Sequence, residues 1–274
     1  MPASLARRAW LLVGAVSAAA LIAGGTYLVV GLAAHDVEHV ASEYPARGVR
    51  VVEVVSDDGS VTVTRSRRPR LAVAARLSIG LRAPRHDVRR RGDRLVVRGG
   101  CPGFAGRCGV GYAVEVTPGV DVVVRASEGS VSVQDVTGSV DIRADNGRVV
   151  ANRIGGALTV HARNGGVRLA DIDGALRAES RNGRIAAGGL RSPSVRAATR
   201  NGRVTLDFDR APRSVSAGTR NGDVQVVVPD GPAAYAVSLD SANGRERLGV
   251  RADPDSPRRI DLGTRNGDAV VRYP

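Results

Sequence analysis

The sequence predicts an all-β chain: a β-solenoid, or β-helix-like stack of 18–23-residue coils, preceded by one N-terminal transmembrane helix. Three observations carry this. An Asn-Gly pair returns at Asn146, Asn164, Asn182, Asn201 and Asn221, spaced 18, 18, 19 and 20 residues apart by subtraction. A finer beat places Gly129, Gly138, Gly147, Gly156, Gly165, Gly174 and Gly183 nine residues apart. Aligning the chain by this period leaves five columns apolar. They are Val131, Val149, Val167, Ile185, Val204, Val224; Val133, Ala151, Leu169, Ala187, Leu206, Val226; Val136, Ile154, Ile172, Leu190, Phe208, Val228; Val140, Leu158, Leu176, Val195, Val215, Val237; and Ile142, Val160, Ala178, Ala197, Ala217, Leu239.

Each half-repeat reads as a turn plus a strand of about five residues, with inward positions alternating with polar outward ones. One coil cannot bury its own apolar face, but coils stacked about 4.8 Å apart share a continuous core. The pairs Asn146-Gly147, Asn164-Gly165, Asn182-Gly183, Asn201-Gly202 and Asn221-Gly222 supply the positive φ of tight corners. Their stacked amides can hydrogen-bond along the axis. The alternative is an antiparallel meander, because Asn-Gly is also a strong hairpin signal. A meander gives no reason for columns to repeat every 18 residues; a solenoid requires it.

Composition agrees. Aromatics are only 3% of the 274 residues, which suits a thin core of Val, Ala and Leu rather than a bulky one. The net charge is +13 and every Lys/Arg-type residue is Arg. Arg, Ala, Gly and Val richness fits GC-rich coding; Arg used for bidentate anion contacts is the alternative. Either way the summed field attracts polyanions.

In chain order, residues 1–8 read as a short cytoplasmic N-terminus and 9–34 as a transmembrane anchor. The run Ala9 to Ala34 carries no charge, and about 20 apolar residues span a bilayer. Arg7 and Arg8 precede it, and Asp36 and Glu38 follow, so the positive-inside rule puts the body outside the cytoplasm. A cleaved signal peptide is the competing reading; its apolar core is usually about 7–15 residues. The expected location is the cell membrane, single-pass, with an extracytoplasmic body.

Residues 35–48 read as a juxtamembrane stalk. His35 and His39 there would share a helix face, but nothing downstream completes a metal site. Residues 49–126 read as an N-terminal β region. Alternation around Val51–Val54, Val61–Val63 and Leu71–Leu81 gives strands. The stretch APRHDVRRRGDR has the composition of a basic hairpin tip. Cys101 and Cys108 close a short Gly/Pro loop and predict a local disulfide in an oxidising compartment. Residues 127–274 are the solenoid and its C-terminal cap. There the Asn spacing lengthens to 22 and 23, from Asn221 to Asn243 to Asn266, and Pro229, Pro232, Pro254 and Pro257 appear. The lengthening predicts a wider end of the stack, finishing at Val270 to Tyr273.

The stretch AVEVTPGVDVVVRASEGSVSVQDVTGSVDIRADNGRV and the recurring RNG turns resemble the bacterial putative-adhesin family, a β-strand-repeat domain of unknown function. The resemblance covers about Val49 to the C-terminus. It implies a β-helix-like envelope domain, often following a membrane segment, with no established catalysis. Relatives that regulate envelope stress imply a sensory ectodomain as the alternative function.

No residue pattern announces chemistry. There is no Gly-x-Ser-x-Gly elbow. His86 and His161 stand alone, and the corners carry Arg where a calcium β-roll needs Asp. Asp171, Asp173, Asp207 and Asp209 fall on different coils, which disfavours a polysaccharide-active enzyme. No enzyme, cofactor or metal is expected. The distinctive surface feature is arginine. Arg163, Arg181, Arg200 and Arg220 each precede an Asn-Gly, Arg265 repeats the pattern, and Arg148, Arg184 and Arg203 follow one. Stacked, they form rows that need counter-ions. The rows are solvated corners or a linear polyanion site, for an anionic envelope polymer or an envelope protein. Nucleic acid fits the charge, but not the topology or the scarcity of stacking aromatics.

Overall fold

The computed structural model describes residues 36–79, 83–102 and 108–274. The segments expected as cytoplasmic N-terminus and membrane anchor lie outside the described residues. Among those described, no helix is long and apolar enough to cross a membrane.

The N-terminal region supplies β1 (Asp36–Pro45), β2 (Val51–Asp58), β3 (Val61–Arg65), β4 (Arg70–Ile79), β5 (Arg85–Arg91), β6 (Arg94–Gly100) and β7 (Gly109–Val116). The repeats supply β8 (Asp121–Glu128), β9 (Val131–Val136), β10 (Val140–Asn146), β11 (Val149–Ile154), β12 (Leu158–Asn164) and β13 (Val167–Ile172). They continue with β14 (Leu176–Asn182), β15 (Ile185–Leu190), β16 (Ser194–Asn201), β17 (Val204–Phe208), β18 (Ser214–Asn221) and β19 (Val224–Val227). The last strands are β20 (Ala236–Asn243), β21 (Glu246–Gly249), β22 (Arg259–Asn266) and β23 (Ala269–Arg272).

These strands form two facing sheets, one of order β1-β4-β7-β3-β9-β11-β13-β15-β17-β19-β23-β21 and one of order β20-β22-β18-β16-β14-β12-β10-β8-β2-β6-β5. Each repeat gives one strand to each sheet, with the Asn-Gly corner between them. Coil-to-coil pairing is parallel, as in Val140↔Leu158 and Val149↔Val167. That excludes the meander. The predicted columns fill the space between the sheets: Val131, Val149, Ile185, Val204 and Val224 are fully buried, and so are Ile142, Val160, Ala178 and Ala197.

The ends depart from the sequence reading. Residues 35–48 were expected as a stalk, yet Asp36–Pro45 is an edge strand antiparallel to β4. It reads as polar because none of its side chains is fully buried. The expected hairpin tip is largely strand as well: β5 runs antiparallel to β6, and the turn is at Gly92-Asp93. A strand carrying Arg85, Arg89, Arg90 and Arg91 on an open edge blocks further pairing by charge. The stack also begins before residue 127, since β2 and β3 pair in parallel with β8 and β9.

Coil order is reversed at both ends. The β22–β23 coil sits between the β18–β19 and β20–β21 coils. Val215 and Ala217 are therefore followed in their columns by Ile260 and Leu262, not by Val237 and Leu239. The chain's last strand is interior, and the β20–β21 coil forms the outer end. At the other end, the β2–β3 coil lies between β6–β7 and β8–β9. Cys101 and Cys108 are disulfide-bonded, with Cα atoms 5.9 Å apart, and tie the end of β6 to the start of β7.

Candidate functional site

The site is built along the Asn-Gly edge. Each Asn side chain donates Nδ2–H to the Oδ1 of the neighbouring coil: Asn164 to Asn146 at 2.9 Å, Asn182 to Asn164 at 3.0 Å, Asn201 to Asn182 at 2.8 Å and Asn221 to Asn201 at 2.7 Å. Asn266 then donates to Asn221, and Asn243 to Asn266. At the opposite end Asn146 donates to Glu128 Oε1 at 2.7 Å. A carboxylate only accepts, so Glu128 fixes the direction of the whole ladder. The glycines finish the corner. Thr199, Thr219, Thr264 and Ser241 hydroxyls donate to glycine carbonyls of adjacent coils.

This ladder fixes the residue before each Asn in a row on the outer face of the sheet that contains β10 and β12. The row is Asp145, Arg163, Arg181, Arg200, Arg220 and Arg265, by the register of the Asn that follow. Asp145 neutralises only its neighbour, Arg163, at 3.4 Å. Among the described residues Arg181, Arg200, Arg220 and Arg265 have no acidic partner within ion-pair distance, and all four are exposed. Four coil steps of about 4.8 Å give the five arginines a length of about 19 Å.

A floor of decreasing bulk runs beside the row. Its in-register members are Arg143, His161, Glu179, Ala198, Gly218 and Gly263. Two shallow clefts follow. One, about 430 Å³, lies between Asp145, His161, Arg163 and Arg181. The next, about 460 Å³, is lined by His161, Glu179, Ser180, Arg181, Ala198, Thr199, Arg200 and Arg220. Glu179 lines the second cleft, paired with Arg177 and 3.3 Å from His161 Nδ1. Ser180 belongs to the lining of that cleft, but its Oγ is buried and, among the described residues, has no hydrogen-bond partner.

The second predicted row is discontinuous. Arg148 and Arg184 flank Gly166 in a cleft of about 290 Å³, but Arg203 is paired to Asp223 at 2.7 Å. A backbone N–H from Asp268, then Arg203, hold the Asp223 carboxyl below the usual range. The opposite corner alternates sign. Arg153 clamps Asp135 with two bonds, at 2.5 and 2.9 Å, and lowers its pKa. Arg191 lies between Asp173 at 2.6 Å and Asp209 at 3.8 Å. Asp173 and Asp209 are thus joined through an arginine, while Asp171 and Asp207 are not part of that chain.

Sequence reading missed three groupings. Glu128 lies 18 residues before Asn146, so the period alone could have placed it in the ladder. Glu53, buried on its outer sheet face, is held by Arg94 at 2.7 Å and by Arg125. Burial raises its pKa, but the two arginines outweigh that and leave it lowered. His86 is not isolated: its Nδ1 is 3.0 Å from Tyr112 Oη. Burial lowers the His86 pKa and raises that of Tyr112. Among the described residues no three His, Cys, Asp or Glu side chains converge as metal ligands.

No protein-family model matches the chain, and no curated protein matches its sequence. Solved structures do. A putative adhesin from Bacteroides fragilis superposes with a TM-score of 0.50 at 14% identity, covering 86% of this chain and 97% of that one. A putative cell adhesion protein from Clostridium sporogenes aligns over 87% of this chain and all of its own, at 9% identity and a TM-score of 0.34. The Bacteroides likeness shows a shared adhesin-like, all-β fold.

Proposed function

We propose that this chain is a non-catalytic, membrane-anchored binding module of the cell envelope that holds a linear anionic polymer along its arginine row. One observation carries the reading: four in-register arginines without acidic partners among the described residues form one exposed row, and three of them, Arg181, Arg200 and Arg220, line one cleft. Parallel stacking makes such a row expensive through like-charge repulsion at about 4.8 Å spacing. A bound polyanion relieves that repulsion. Support for the envelope setting comes from the uncharged 9–34 run, the disulfide and the adhesin-like fold.

The test is the binding of residues 36–274 to a poly(glycerol phosphate) chain, of the teichoic-acid type, as salt is varied. Each phosphate neutralised by an arginine contributes to the salt slope. Replacing Arg181, Arg200, Arg220 and Arg265 by Gln should flatten that slope and lower affinity at least about tenfold. Unchanged binding would contradict the assignment.

A further inference from the structure

We propose that Asn243-Gly244 is a site of spontaneous deamidation in the folded chain, and that the stack protects the other six Asn-Gly pairs. All seven pairs, at Asn146, Asn164, Asn182, Asn201, Asn221, Asn243 and Asn266, lie among the described residues. Asn-Gly is the dipeptide most prone to this reaction, because glycine leaves its backbone nitrogen unhindered. That nitrogen attacks the Asn Cγ. A new N–Cγ bond forms and the Cγ–Nδ2 bond breaks. Ammonia leaves with the proton from the glycine N–H, and a succinimide remains. Water then opens the ring to aspartate or isoaspartate.

The nucleophile is restrained at six pairs. Gly147, Gly165, Gly183, Gly202, Gly222 and Gly267 each donate their N–H to the Asn carbonyl of the next coil, at 2.8–3.1 Å. Gly244 stands at the end of the stack, and among the described residues its N–H has no backbone acceptor. The electrophile differs in the same way. The Oδ1 of Asn146, Asn164, Asn182, Asn201, Asn221 and Asn266 each accepts a ladder bond, whereas that of Asn243 accepts none among the described residues. The six protected glycines are half-buried and Gly244 is exposed. The reversed coil order decides which pair is vulnerable: Asn266, last in sequence, is interior, and Asn243 is terminal. Conversion removes the amide that Asn243 donates to Asn266 and adds a carboxylate beside Arg245, so it loosens the outer coil and lowers its charge.

Seven identical dipeptides provide their own control. The full chain is held folded in mildly alkaline buffer, sampled over time, and peptide-mapped by mass spectrometry at acidic pH. A parallel sample is held in guanidinium. Asn243 should convert at least about tenfold faster than each other Asn in the folded protein, because the others must first open a coil. In guanidinium the seven rates should converge to within about threefold, once the ladder is gone. An Asn243→Gln variant should leave the other six rates low. The proposal is overturned if any interior Asn keeps pace with Asn243 in the folded chain. It is also overturned if Asn243 remains fastest after unfolding, since local sequence would then set the rate.

Discussion

At Gly165 the backbone has φ +146°, and a Cβ there would lie 1.8 Å from the Gly147 carbonyl oxygen. Gly166, one residue on, has ordinary space, with its nearest contact at 3.8 Å. Gly165→Ala should therefore cost about 3 kcal/mol or more in urea unfolding, and Gly166→Ala less than about 1 kcal/mol. Equal costs would mean that the coils are not stacked glycine on carbonyl. Charge at single residues gives a pH dependence. The pKa values of Glu53, Asp135 and Asp223 are lowered in the folded chain. Their stabilisation is present above the unfolded-state carboxylate values and is lost as pH falls through the lowered ones. Glu53→Gln should lower neutral-pH stability by about 2 kcal/mol and weaken the acid dependence, read from unfolding midpoints between neutral and acidic pH. The glycine corners were legible because no other residue fits them and the period repeats them. Glu53 was not, because an acid within a valine strand gives no sign that Arg94 and Arg125 will reach it from adjacent strands.

At the scale of an element, the amide ladder joins strands that are 18–45 residues apart in sequence. Asn182→Ala removes one donated and one accepted bond and should cost about 1–2 kcal/mol. Asn243→Ala removes a single bond at the end of the ladder and should cost about half as much. Thermal unfolding of both variants checks this, and an equal cost would contradict a directional ladder ending at Asn243. Interior strands were readable because both faces are constrained, one by core and one by solvent. The edge strands β1 and β5 were not. In β5 only Val88 is a half-buried apolar side chain, so RHDVRRR has the composition of a loop although it pairs along its length with β6. The arginine row was legible in its periodicity, and so was its acidic neighbour Asp145, which lies one 18-residue period before Arg163, the residue it pairs with.

Across the whole molecule, reversed coil order at both ends means that each terminal coil depends on strands distant in sequence. Val237 and Ile260 are equally apolar continuations of the Val215 column, so periodicity alone could not choose between them. The choice is made by the long proline-bearing connections, which carry the chain past one vacant position and back into it. A chain ending at residue 257 keeps β20 and β21 but removes the coil on which they pair. Hydrogen exchange should show protection lost across 236–249 in that truncation, with β10 to β17 unaffected. Retained protection would contradict the dependence of the β20–β21 coil on the β22–β23 coil. Function also belongs to this scale, because a net charge of +13 attracts any polyanion. The decisive measurement compares poly(glycerol phosphate) binding by three proteins of residues 36–274. They are the wild type, a variant with Arg181, Arg200, Arg220 and Arg265 changed to Gln, and one with Arg85, Arg89, Arg91 and Arg98 changed to Gln, which removes the same charge elsewhere. The arginine-row account predicts that only the first variant loses affinity, by at least about tenfold, together with its salt dependence. Equal losses in both variants, or none in either, would contradict it.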